Sequence, residues 1–167
     1  MLKHGSLFLT LLFVSSVSLL AQEGRELATD RPGLGSDAPI TVPKGFLQVE
    51  AGFQMDKDRR DQTAFGVEET VWSYPSTLLR YGILDQWEFR LSFDALYVAR
   101  KRIGGSLTQQ FDGISPLTLG SKVMLTEEEG WVPYMALQFG LTIASTGAED
   151  FQLNYTQPVI TWLMTKS

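Results

Sequence analysis

From Lys44-Gly45 onward, apolar and polar residues alternate with a period of two. In residues 46–56 the odd positions are Leu47, Val49, Ala51, Phe53 and Met55, and the even ones include Gln48, Glu50, Gly52 and Gln54. Side chains of a strand point alternately to its two faces, so this spacing predicts a strand with one apolar and one polar face. A charged connection, Asp56-Lys57-Asp58-Arg59-Arg60-Asp61, is expected next. A second strand is predicted from about Phe65 to Gly82, interrupted by Pro75, which cannot donate to a ladder and marks a bulge, an edge or a rim. Gly82 to Gln86 is a short turn. The third strand has the clearest pattern. Trp87, Phe89, Leu91, Phe93, Ala95 and Tyr97 occupy one face, and Glu88, Arg90, Ser92 and Asp94 the other.

Residues 100–115 are expected to be a loop, with Gly104-Gly105 and Asp112-Gly113 as its turn residues. The fourth strand sets Leu117, Leu119, Val123 and Leu125 against Thr118, Gly120 and Lys122. Glu127 to Gly130 closes it as a polar turn. The fifth strand runs from Trp131 to Ile143, and a weaker sixth from about Leu153 to Leu163 contains Pro158. The tail Thr161 to Ser167 lacks the alternating, aromatic-ended pattern of a closing strand. No stretch has the periodicity of an amphipathic helix.

Charge sorts by parity. In the clearest segments Glu50, Arg80, Glu88, Arg90, Asp94 and Lys122 all fall on the polar face, and the apolar face carries no charge. A Lys or Arg facing lipid at mid-depth costs about 2–4 kcal/mol, a penalty that selects for such a division. Strands of about ten residues are long enough to cross an apolar band when tilted. Trp87, Tyr97 and Trp131 stand near strand ends, where indole and phenol rings favour a membrane–water interface. These features predict an all-β, antiparallel transmembrane β-barrel of the outer-membrane type. A soluble, secreted or periplasmic β-sandwich that binds a ligand also alternates, so the pattern leaves that reading open. About six strands fall short of the eight usual for a single-chain barrel, so the chain reads as an incomplete one, truncated at its C-terminal end.

The first 21 residues read as a secretory signal, with Lys3 as a short positive region, an apolar core over Leu7–Val14, and Leu19 and Ala21 before the cleavage point. Residues 22–43, with Pro32, Gly33, Gly35, Pro39 and Pro43, form an extended lead segment, and 44–167 the barrel domain. The 14 basic and 19 acidic residues give a net charge of −5, and loss of the signal removes Lys3. An acidic balance without Lys/Arg clusters argues against a nucleic-acid partner. There is no cysteine, hence neither a disulfide framework nor a cysteine-linked lipid.

The single histidine, His4, lies in the signal. Histidine-dependent nucleophilic chemistry and His/Cys zinc sites are therefore not expected, and no cofactor or metal is expected. Glu88 and Asp94 lie six residues apart on one strand face, about 20 Å at roughly 3.3 Å per residue, too far for a glycosidase pair. Gly33-Leu34-Gly35 lacks the strand and the Lys-Ser or Lys-Thr of a phosphate loop. Glu127-Glu128-Glu129 suits a solvated turn.

Three blocks carry a family resemblance. Ala28-Thr29-Asp30-Arg31-Pro32, Thr41-Val42-Pro43-Lys44-Gly45 and Gln48-Val49-Glu50-Ala51-Gly52 form the first; Leu79-Arg80-Tyr81-Gly82 with Trp87-Glu88-Phe89-Arg90 the second; Leu119-Gly120-Ser121-Lys122 the third. Their order resembles the bacterial outer-membrane transporter, or meta-pathway phenol-degradation, family over about residues 28–143. The resemblance implies an outer-membrane barrel that helps small hydrophobic or aromatic compounds enter the cell; the absence of Cys, and of His outside the signal, separately argues against an enzyme. Its partners would be outer-membrane lipid and such solutes. On this reading Glu50, Arg80, Glu88, Arg90, Asp94 and Lys122 face the lumen. There they either tune which solutes pass or neutralise one another inside a filled barrel. Asp30-Arg31-Pro32 would be a docking element, a plug or a lead-in that caps the barrel floor.

Overall fold

The computed structural model describes residues 28–30, 37–60, 67–102 and 107–167. The signal, Gly33 to Gly35 and Gly104-Gly105 lie outside them. The described strands are β1 (Leu47–Arg60), β2 (Val67–Leu84), β3 (Trp87–Arg102), β4 (Leu107–Ile114), β5 (Thr118–Thr126), β6 (Tyr134–Thr142) and β7 (Gln157–Thr165). They form one antiparallel sheet in the order β1-β2-β3-β5-β6-β7, with β4 also pairing β3. Two short 3₁₀ turns, Ala144–Thr146 and Glu149–Phe151, connect β6 to β7. Among the described residues the sheet is open, with β1 and β7 as its edges. No second sheet packs on its apolar face among the described residues.

β4 and β5 act as one interrupted strand. β5 pairs the first part of β3, Trp87 to Ser92, and β4 pairs the second, Ala95 to Lys101. Between them Ser115 bonds Asp94 in both directions. Its N–H donates to the Asp94 carbonyl at 2.8 Å, and its Oγ accepts from the Asp94 N–H at 2.9 Å.

The expected loop over 100–115 is thus largely strand, and Asp112-Gly113 is a paired part of β4 rather than a turn. Likewise β1 continues through the charged run to Arg60. In both places charged and amide side chains stand on both faces, which hides the period of two while the backbone ladder continues. Trp131 belongs to the turn before β6, which begins at Tyr134, and Gly130 in that turn adopts a φ of 55°. The tail is a strand as far as Thr165. Pro158 is tolerated because β7 is an edge strand. Lys166 ties its end to the β5–β6 turn, donating to Glu128 Oε1 at 2.9 Å. Pro75 sits where β2 shifts register between Ser73 and Ser76.

Register converts the parity into two faces. Leu47, Tyr81, Phe89, Ser121, Phe139 and Ile160 stand in one row across the sheet, and Val49, Leu79, Leu91, Leu119, Leu141 and Pro158 in the next. Many of these side chains are exposed, Leu47 at 63 % and Ile160 at 69 %. On the opposite face Arg80, Glu88 and Lys122 are 0–1 % exposed. A water-soluble domain has the reverse distribution, with aliphatic side chains inside and charges outside.

Candidate functional site

The buried strand charges come from four neighbouring strands, β1, β2, β3 and β5. Gln48, Arg80, Arg90 and Gly120 form one inner row, and Gly82, Glu88 and Lys122 the adjacent one. Glu50 lies one inner position farther along β1. A buried charge is costly unless it is paired and hydrogen-bonded, and here each one is. Arg80 donates through Nε and Nη2 to the two oxygens of Glu88, both at 2.9 Å, a bidentate fork. Its Nη1 reaches Glu50 Oε1 at 3.1 Å. Arg90 Nη1 donates to Glu88 Oε1 at 3.0 Å.

The centre of the cluster is Asp30, from the segment before β1. Its carboxylate accepts from both Arg90 and Lys122 and lies 3.5 Å from Arg80 Nη2. Burial alone would raise its pKa, but the cations Lys122, Arg80 and Arg90 outweigh burial and hold the carboxyl below its usual range. Three carboxylates, Asp30, Glu50 and Glu88, then balance the three cations Arg80, Arg90 and Lys122.

The wall also bonds the backbone of this segment, which offers no regular ladder of its own. Arg80 donates to the carbonyls of Ala28 at 2.7 Å and Ile40 at 2.9 Å. Lys122 donates to that of Ala38 at 2.7 Å. Glu50 and Glu88 accept from the N–H groups of Asp30 at 2.9 Å and Val42 at 2.7 Å. The Thr41 hydroxyl donates to the Asp85 carbonyl at 2.7 Å. Gly82 lets the chain pass: a Cβ there would lie 2.0 Å from the Pro43 carbonyl oxygen. The described parts of residues 28–44 therefore cover the inner face at the level of this cluster, and the clustered charges are the fixings of that segment.

Of the six charged positions singled out by parity, Glu50, Arg80, Glu88, Arg90 and Lys122 meet in the cluster. Asp94 lies farther along β3 and accepts a hydrogen bond from the Ser76 hydroxyl. Parity did not single out Asp30, because it lies in a segment without periodicity; its signal was its place between Thr29 and Arg31-Pro32 in the first resemblance block. Among the described residues no group of three or more His, Cys, Asp or Glu is placed to hold a metal.

The aromatic positions separate along β3. Trp87 begins the strand and donates from Nε1 to Ser121 Oγ at 2.6 Å. The β5–β6 turn lies at the same end, since the Met124 N–H donates to the Gln86 carbonyl, and Trp131 in that turn is 98 % exposed. Tyr97 lies ten residues up the strand. With Phe53, Trp72 and Tyr74 it lines an apolar pocket, the Phe53 and Trp72 ring centres being 5.6 Å apart.

A family model described as "Putative MetA-pathway of phenol degradation" matches residues 29–166. The chain belongs to this family. Comparison with curated proteins and with solved structures finds no match. In this member of the phenol-degradation family, the match includes Asp30, the wall charges that surround it and all seven described strands.

Proposed function

We propose that the chain forms wall strands of an outer-membrane β-barrel through which small hydrophobic or aromatic compounds enter the cell, without covalent chemistry. One observation carries this reading. The apolar face is outermost and free of charge between two aromatic levels. From Trp87 to Ala95 no Asp, Glu, Lys or Arg falls on the outward parity of any described strand, and the first outward charge, Asp112 of β4, stands beside Tyr97 on the upper aromatic row. Ten residues span about 33 Å along a strand, or about 25 Å of height at a tilt of roughly 40°, the height of a barrel's apolar band. Beyond Tyr97 the outward face turns polar, with Lys57, Glu68 and Gln110 on its rows.

Export by the N-terminal signal and contact with outer-membrane lipid belong to the same reading. Backbone groups in hydrocarbon must be paired, so in the membrane further strands complete the sheet at β1 and β7. The family description supports an aromatic solute.

Fractionation tests the proposal. The protein should remain in the membrane pellet after a carbonate wash and change gel mobility on heating. Liposomes carrying it should take up a neutral aromatic compound faster than empty ones. Recovery in the soluble fraction would point instead to a secreted or periplasmic binding protein.

A further inference from the structure

The connection between β6 and β7 folds onto the inner face of the wall. Gly113 of β4 pairs Leu96 of β3, which shares the inward parity of Arg90 and Asp94. A Cβ at Gly113 would therefore project inward, where it would lie 2.5 Å from Ala148 Cβ and 3.2 Å from the Phe151 ring. Ala148 and Phe151 thus lie on the inner side of β4, and glycine at 113 leaves room for them. A second close passage stands beside the first: a Cβ at Gly147 would come within 2.9 Å of Pro116, which itself lines an inner cavity of about 290 Å³.

The connection is anchored along its length. The Leu117 N–H donates to Thr146 Oγ1 at 2.8 Å, and the Ala148 N–H to the Ile114 carbonyl at 2.9 Å. Within the connection, the Phe151 N–H donates to the Ala148 carbonyl at 2.8 Å and the Leu153 N–H to the Ala144 carbonyl at 3.2 Å. These bonds hold the two 3₁₀ turns, Ala144–Thr146 and Glu149–Phe151, as a fixed shelf rather than a swinging lid.

The height of the shelf says what it faces. Thr142, where β6 ends, pairs Thr118, which pairs Ser92, and Gly113 stands level with Leu96. Both levels fall between Trp87 and Tyr97, inside the apolar band. Irregular backbone at that depth is tolerated only where it is buried in protein or lines a water-filled space, because lipid satisfies none of its polar groups. Ser145 and Thr146 of the shelf are exposed, so the space beside them is the water-filled one.

We propose that the β6–β7 connection is the size-selecting constriction of the passage, and that Phe151 sets its width. The inference rests on the reading of the chain as a barrel wall. The Phe151 ring is wedged between the shelf and β4 and fixes how far the shelf reaches inward. A smaller side chain lets the shelf settle toward the wall and widens the passage; a larger one pushes it farther in.

Liposome swelling in two neutral sugars that do not cross lipid, arabinose and raffinose, reads that width. The full chain should admit arabinose faster than raffinose. Phe151→Ala should raise the raffinose-to-arabinose ratio of rates at least about threefold, and Phe151→Trp should lower it by about the same factor. Damage to the fold would not move the ratio in opposite directions. Location is read without transport from a fluorophore on Ser145→Cys in liposomes containing quencher-bearing lipid, where it should stay unquenched. Strong quenching there would put the shelf in lipid and overturn the proposal. Swelling in neither sugar would end the passage and the constriction together. A ratio that ignores both substitutions would end the constriction alone and leave the passage standing.

Discussion

Arg80 and Arg90 stand directly opposite each other on β2 and β3, facing the same way. Like charges so placed destabilise a strand pair. Here Glu88 lies between them and bonds both, and Asp30 approaches both from above the sheet. The arginine pair is thus a socket for a carboxylate delivered by a separate piece of chain, and the segment before β1 is folded by that delivery.

Asp30→Ala should release the segment. It would leave Lys122, Arg80 and Arg90 buried with one counter-charge too few, a defect that costs about 3–5 kcal/mol when a buried ion pair loses a partner. Backbone amides of Val42 and Ala38, now bonded to Glu88 and to Asp30, should lose hydrogen-exchange protection, while the β2–β3 ladder keeps its own. Unchanged protection at both amides would contradict the assigned role.

Acid should act on the same contact. The Asp30 carboxyl titrates below its usual value, so its stabilising contribution is complete above about pH 4 and disappears as the pH falls through the lowered value. A spin label on the segment should report a docked state from neutral pH down to about pH 4, and mobility only in stronger acid. Release on raising the pH from 5 to 8 would have the wrong sign.

Gly82→Ala should loosen the other end of the segment. The added methyl would overlap the Pro43 carbonyl, a backbone atom that can move only by shifting the chain, so about 1–3 kcal/mol of overpacking is expected. Gly45, which turns the chain into β1 with a φ of 80° and bonds the Gly82 carbonyl at 2.7 Å, should become protease-accessible in that variant.

Much of the sheet was legible in the sequence. Parity carried β3, β5, β6 and the first half of β1, because there one face is uniformly apolar. It failed at Asp56 to Arg60 and at Leu107 to Ile114, where neither face is uniformly apolar and a continuing strand looks like a polar loop. The inward charges could be picked out for the same reason that the strands could. Their joint purpose could not, since Asp30 lies 20 residues from Glu50 and 92 from Lys122 in the chain and only the register brings them together. β7 was faint because an edge strand tolerates a proline that an inner strand would refuse.

The direction in which alternate side chains face decides whether the apolar rows meet lipid. The chain lacks cysteine, so single cysteines at Leu91, Leu137 and Phe139, and at Ser92 and Gln138 for the other face, can each be labelled with a fluorophore. In liposomes containing quencher-bearing lipid, the first three should be quenched strongly and the last two hardly at all. A water-soluble monomer in which Leu91, Leu137 and Phe139 are shielded from both lipid and solvent would contradict the account.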